Sequence, residues 1–266
     1  MYMEKARALS PRNALTQAYA ALSPFSDSDA WEFESHLMHL HFVLQALAKL
    51  QPGATVIDVG CYIGILPLAL RMLGVDAAGN DKYIFQSKDT GQAYGFSAPE
   101  LDALKKVWDT YGLRVDALDV TKERAAVQYD LVLSIATIEH QPYPKQFLDN
   151  VASFAKSGGT IYIATPNVAK LANRVRFLFG RPPMSNLQEF YMNAHDFNGN
   201  WREYTRAELK DMALLSHLQV KSCTSIQMEP VTFQLMRPRK WARSIVRLLA
   251  CVIPGTGDIN VLIVKK

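Results

Sequence analysis

The sequence predicts an α/β fold: a mostly parallel sheet preceded by a helical lead-in at the N-terminus. Three observations carry that expectation. From residue 54 onward, short apolar runs alternate with amphipathic segments, which implies crossover connections between parallel strands. The first run, Thr55–Val59, breaks on Gly60 and Gly64 and resumes as Ile65–Leu70, the pattern of a buried strand, a tight turn and a helix. A chain of 266 residues, 49% hydrophobic and 20% charged, can bury a sizeable core in one large domain or two small ones.

In chain order, the first ~25 residues read as a loose lead-in that ends at a helix cap within Ser26-Asp27-Ser28-Asp29. Phe33, Leu37, Leu40, Leu44 and Leu47 then recur every three or four residues, an amphipathic helix stopped by Gln51-Pro52-Gly53. Strands are expected at Ala54–Val59, Val75–Gly79, Leu113–Leu118, Tyr129–Ile135 and Thr160–Ala164, with helical segments between them. Thr205-Arg206-Ala207-Glu208 has the form of a capping box opening a further helix, and strands follow near Leu218–Cys223 and Ile259–Val264. The organisation expected is a helical segment over 1–52 and one domain over 53–266, with inserts near 167–200 and 225–257.

Composition excludes several classes. The net charge of +4 is too mild to indicate nucleic acid without local support, and no stacking platform or recognition motif supplies it. Cys61, Cys223 and Cys251 lie far apart, which argues against a zinc site or disulfide framework, leaves no metal expected and suits a reducing cytosol. No apolar run reaches the roughly 18 residues of a membrane span, and the first residues lack a signal core.

In a parallel sheet, ligands sit beyond the carboxyl ends of the strands, which places Gly60 to Gly64 at a binding edge. A dinucleotide turn needs three glycines, and Tyr62 and Ile65 occupy two of those places. No Gly-Lys-Ser or Gly-Lys-Thr follows, so a phosphate-binding loop is excluded too. Asp81 closes the second strand, about 20 residues past the turn, where an acid can accept both hydroxyls of a ribose.

The spacing Asp58-x-Gly60-x-x-x-Gly64 resembles the first motif of class I S-adenosylmethionine-dependent methyltransferases, with Tyr62 where the family has a further glycine. In order there follow Gly79-Asn80-Asp81, Asp119-Val120, Tyr129 through Glu139-His140, Lys156-Ser157-Gly158-Gly159, Thr165-Pro166-Asn167 and Trp201-Arg202-Glu203-Tyr204-Thr205. The likeness covers roughly residues 30 to 224 and the final strand. It implies a Rossmann-like sheet and S-adenosylmethionine as methyl donor. It also implies donor binding by Asp58, Gly60, Cys61, Tyr62, Gly64, Asp81, Lys82, Asp119, Val120, Ile135 and Ala136. Asp119 would meet the adenine amino group, or serve as an ordinary turn cap.

Methyl transfer to a hydroxyl needs a base for the departing proton, and histidine suits neutral pH. His140, just past the fourth strand, is the first candidate, with Glu139 orienting it or lining the pocket. His195 is the second, although Asn200-Trp201 stands where relatives carry a histidine before the Arg-Glu-Tyr-Thr block. His36, His39, His41 and His217 read as structural or solvated. Tyr143, Phe177, Phe197, Trp201 and Tyr204 are the aromatics expected around the acceptor.

The acceptor class expected first is a sugar or lipid-linked glycan hydroxyl. The alternatives are a phenolic or polyprenyl-quinone precursor and, from another class, a non-catalytic donor-binding or membrane-surface partner protein. Two stretches bear on location. Residues Thr165–Gln188 hold four basic groups and Val231–Gly257 five, and neither holds an acid. They are expected either to cover the domain as helices, the first capped by Asn167, stopped at Gly180 and carrying its apolar residues on one face, or to dock a cytoplasmic enzyme on an anionic inner membrane face.

Overall fold

The computed structural model describes residues 9–26, 29–82, 96–183, 191–192, 199–227, 253 and 255–266. Its seven strands follow the order β3-β2-β1-β4-β5-β7-β6, with β1 Thr55–Val59, β2 Asp76–Asn80, β3 Arg114–Asp116, β4 Tyr129–Ile135, β5 Ala155–Pro166, β6 Gln219–Ile226 and β7 Ile259–Lys265. Strand β1 pairs in parallel with β2 and β4, and β2 with β3. Strand β7 runs antiparallel to both β5 and β6. The expected strands are all present, with ends shifted by one to a few residues.

The chain divides into two compact units, Met1–Ser134 with Asn150–Gly159, and Ile135–Asp149 with Thr160–Lys266. In the first, helix α1 (Pro11–Leu22) occupies the stretch expected to be loose. Ser10 caps it by accepting from Asn13 N–H, and Ala14, Leu15, Ala18 and Leu22 form a buried stripe. The apolar spacing of Ala14, Ala18 and Leu22 explains the helix, because small residues let it lie close against its neighbours. Helix α2 (Ala30–Leu47) starts at the expected cap, where Asp29 accepts from Glu32 N–H. Of its histidines, His39 is buried, His36 shares a 2.6 Å hydrogen bond with the Tyr19 hydroxyl, and His41 is exposed.

Helix α3 (Ile65–Met72) buries six consecutive residues, Ile65 to Leu70, and joins β1 to β2. Helix α4 (Ala98–Thr110) opens on a capping box made by Ser97 and Glu100. Strand β3 is shorter than expected because from Ala117 the chain leaves the ladder; the carbonyls of Asp116 and Leu118 instead accept from the buried Asn80 side chain. Helix α5 (Pro144–Ser153) connects β4 to β5.

In the second unit, helix α6 (Leu171–Leu178) is shorter than the stretch expected from Asn167 to Gly180. Asn167 does not cap it. The Asn167 amide instead donates to the carbonyls of Gly255 and Gly257 at 2.9 and 2.7 Å, and its backbone bridges to Tyr204. Helix α7 (Arg206–Leu215) begins at the predicted box, in which Thr205 and Glu208 cap one another.

Candidate functional site

The first unit holds most of the residues expected to bind the donor. Beyond β1 the chain turns through Gly60, Tyr62 and Gly64, all at positive φ (82°, 49° and 86°), and Gly64 starts α3. The N–H groups of Gly60 and Cys61 both donate to the Asn80 carbonyl, at 2.8 and 3.2 Å. The Trp108 indole donates to the Ile63 carbonyl at 3.0 Å and holds the far side of the turn. Gly79 admits no larger residue: a Cβ there would stand 2.6 Å from the Cys61 sulfur.

Tyr62 takes the left-handed conformation that its missing glycine would have taken freely, at a cost of roughly 1 kcal/mol. Its N–H donates to Asp81 Oδ2 at 2.9 Å. The turn therefore keeps its path despite the departure from the motif, and the second acidic motif is joined directly to the first.

Asp58 is fully buried, and its Oδ1 meets no hydrogen-bond partner among the described residues. Burial first, then the charge of Asp81, pushes its carboxyl up to about 7. Burial likewise raises the Cys61 thiol, with Asp58 and Asp81 adding to the effect, so Cys61 packs against Gly79 as a neutral thiol. An orphaned carboxylate oxygen beside a second carboxylate suits a ligand that brings a cationic donor group, such as the ammonium of an amino acid. On this observation the turn fits S-adenosylmethionine.

Asp119 makes the contacts of a turn cap. Its Oδ1 accepts from the Thr121 N–H and hydroxyl, and its Oδ2 pairs with Lys82 Nζ at 3.1 Å. Burial acts to raise this carboxyl, but the Thr121 and Lys82 bonds outweigh it and hold it below the usual range. Lys82 is thus turned to Asp119. Val120 is buried, and its carbonyl accepts from Asn150 at 2.8 Å. Asn80 is a positioning residue to which the sequence assigns no role: its amide and carbonyl tie β2 to both the turn and the third-strand loop.

The second unit assembles a different group. Ala136, at φ 50°, donates its N–H to the Ala164 carbonyl at 2.9 Å, and the Thr137 hydroxyl donates to the carbonyl of Ile135. Ile138–His140 form one 3-10 turn. Glu139 is buried, accepts from the Thr165 hydroxyl at 2.9 Å, and its backbone carbonyl accepts from Trp201 and Arg202 N–H. Three separated motifs therefore meet at one residue. Burial pushes the Glu139 carboxyl up to about 7; its hydrogen bonds oppose this and the nearby Glu203 adds to it. Glu203 Oε1 accepts from Asn200 at 3.2 Å, while Glu203 Oε2 and Gln141 Oε1 are buried with no partner among the described residues.

His140 Nδ1 lies 3.2 Å from the Gly199 carbonyl. A carbonyl can only accept, so Nδ1 carries the hydrogen and the neutral ring keeps its lone pair on Nε2. That is the tautomer a general base requires. Glu139 does not orient this ring with its carboxyl; it holds the 199–202 segment against which the ring is aligned.

Other expected residues fall elsewhere. His195 and Phe197 lie outside the described residues, as does most of the second basic stretch. Tyr204 is buried beneath the Arg202 guanidinium, Tyr143 is exposed and Phe177 stands on the exposed end of α6, so these aromatics do not form one stacking wall. His217 is exposed at positive φ just past α7, as a solvated helix end requires.

Residues 30–213 match the family described as a methyltransferase domain. A ubiquinone biosynthesis O-methyltransferase of Bordetella avium (strain 197N) is 30% identical over 173 residues, covering 60% of this chain and 64% of that protein. The chain thus spans slightly less than two thirds of that relative. A protein of the same name from Pseudomonas paraeruginosa (strain DSM 24068 / PA7) is 28% identical over 215 residues, 76% of this chain and 83% of its own. Among solved structures, a magnesium protoporphyrin IX methyltransferase from Synechocystis PCC 6803 matches with a TM-score of 0.52 at 14% identity, over 95% of this chain and 93% of that one, a likeness of fold.

Proposed function

This chain belongs to the methyltransferase-domain family, and from that premise we propose that it transfers a methyl group from S-adenosylmethionine to a phenolic hydroxyl of a quinone precursor. The observation that carries the chemistry is the contact of His140 Nδ1 with the Gly199 carbonyl, which leaves Nε2 to receive a proton. The relatives named as ubiquinone biosynthesis O-methyltransferases support the acceptor class, in preference to the glycan hydroxyl expected first.

Acidity favours the same choice. Imidazoles titrate near 6.5 and phenols near 10, so the proton moves uphill by about 5 kcal/mol. An aliphatic hydroxyl, close to water at about 15.7, would demand more than twice that. A lone histidine is matched to a phenol and poorly matched to a sugar.

S-adenosylmethionine supplies an already activated methyl group. Asp81 would hold the ribose hydroxyls, Asp58 would offer its unpartnered oxygen to the ammonium end, and the Gly60–Gly64 turn would supply the backbone edge of the donor site. His140 Nε2 takes the acceptor's proton while Gly199 keeps the ring aligned. Holding the acceptor in line provides much of the remaining rate, up to several kcal/mol.

The test is methyl transfer from labelled donor over a panel of alkylated catechols, sugar nucleotides and glycolipids. The reading expects label on a phenolic oxygen. Label confined to sugars would overturn the acceptor class, and donor binding without transfer to any acceptor would favour a non-catalytic protein.

A further inference from the structure

On the donor reading above, we propose that S-adenosylmethionine drives a proton off Asp58 as it binds, so that the protein holds its donor more tightly as pH rises. What surrounds Asp58 is the ground for this. Strand β1 lies between β2 and β4, and the register partners of Asp58 are Gly79 and Leu133, neither with a polar side chain. Helix α3, packed on β1, presents the buried apolar residues Ile65 to Leu70. Its cation, Arg71, is paired with Asp76 at 2.7 Å.

On β4 the ionisable groups stand at the far end of the strand and are engaged there. Tyr129 bonds Arg114, and Asp130 bonds Thr55 and Lys156. In the turn, the Cys61 thiol donates to the Tyr62 carbonyl at 3.6 Å. Lys82, at the end of β2, is paired with Asp119. The group that does act on Asp58 is a second acid, Asp81, whose Oδ2 accepts from Tyr62 N–H. Among the described residues, no cation is paired with Asp58.

An ionised Asp58 would therefore have lost its water, gained no hydrogen bond on Oδ1, and faced another negative charge. Each penalty falls on the charged form. A proton on Asp58 relieves them in the free protein, and burial first, then Asp81, pushes this carboxyl up to about 7.

The donor brings the missing cation as the ammonium of its methionine part. An opposite charge within about 4–6 Å favours an ionised carboxyl by about 10–10³-fold. The neutral acid and the ammonium become a carboxylate–ammonium pair, and the displaced proton passes to solvent. Below about pH 7, each binding event then releases up to one proton, and affinity falls as pH falls. Above it the carboxyl is already ionised, so release ceases and affinity is level. Glu139 is raised to the same value, but its partners are already supplied by the fold, and it takes no part.

The experiment is calorimetric titration of S-adenosylhomocysteine, which has the same ammonium, into the full chain. Each titration is run in two buffers of different ionisation enthalpy, because the difference in heat counts the protons released. The parent should release close to one proton at about pH 6 and almost none at about pH 8, where it binds about tenfold more tightly. Asp58→Asn should lose both effects, and Glu139→Gln should keep both. Should Asp58→Asn bind too weakly to titrate, 5′-methylthioadenosine makes the same comparison in the parent, since it has the nucleoside without the ammonium and should release nothing. Heats independent of buffer at about pH 6 overturn the inference and leave the donor reading intact. A parent that binds no S-adenosylhomocysteine overturns both. Release that persists in Asp58→Asn or with 5′-methylthioadenosine, or that vanishes in Glu139→Gln, puts the proton elsewhere and overturns the inference too.

Discussion

Asp58 in the first unit and Glu139 in the second are buried carboxyls raised to about 7 by the same force, yet they are built differently. Glu139 has its partners within the fold: the Thr165 hydroxyl on its side chain and two N–H groups on its carbonyl. Asp58 has one oxygen with no partner among the described residues, close to a second carboxylate. A raised acid is therefore not by itself the mark of a binding group. Its partners decide: Glu139 holds three chain segments together, and Asp58 is left able to receive a donor from outside.

The strongest way to sharpen this contrast lies beside Glu139. His140→Ala should reduce turnover by about 10²–10⁴-fold in a folded protein, measured as labelled methyl transferred to a phenolic acceptor. Retained turnover would reduce His140 to a structural role and turn attention to His195.

Next in size is the dependence of stability on pH. The Glu139 carboxyl moves from 4.5 to about 7 on folding, and that of Asp58 from 3.8 to about 7. A raised carboxyl contributes stability that is complete below the ordinary value and is lost as pH rises through the folded one. The parent should thus weaken from about pH 4 to 7 and level off above. Glu139→Gln should remove its share of that loss, roughly 3 kcal/mol above pH 7, without changing affinity for S-adenosylhomocysteine. Asp58→Asn should flatten the curve likewise but weaken the ligand. Denaturant titrations across pH, paired with calorimetry, separate the two; equal ligand affinities would erase the distinction.

The smallest effect is expected at Tyr62. Tyr62→Gly relieves a left-handed backbone but gives up the contact with the Phe96 ring. Stability should change by no more than about 1 kcal/mol and donor affinity little. A large gain in affinity would show that Tyr62 obstructs the site.

What could be read in the sequence follows the same division. The donor turn was legible because Asp58, the glycines and Asp81 are separated by one strand–helix–strand unit, whose length is fixed by geometry. Strands came through because an apolar run between turn residues has few other readings. Asn80, Thr165 and Asn260 were given no positioning role, and Asn167 only that of a helix cap. Their partners lie tens of residues away; Asn260, for one, is fully buried and donates to the Tyr204 carbonyl 56 positions earlier. Helix α1 was passed over because its stripe is made largely of alanines, which give little periodic signal. The apolar residues of α6 were read as one packed face because periodicity shows which residues share a side, not whether anything stands against it.

The central claim is that the first unit binds the donor through Asp81, and that His140 is needed for transfer and not for that binding. Calorimetric titration of S-adenosylhomocysteine into the parent, Asp81→Ala and His140→Ala tests it most directly. The expected result is binding by the parent, the same affinity in His140→Ala, and a loss of about 1.5–3 kcal/mol in Asp81→Ala, the usual worth of hydrogen bonds to a charged group. A parent that does not bind, or an Asp81→Ala protein that binds as tightly as the parent, would contradict it.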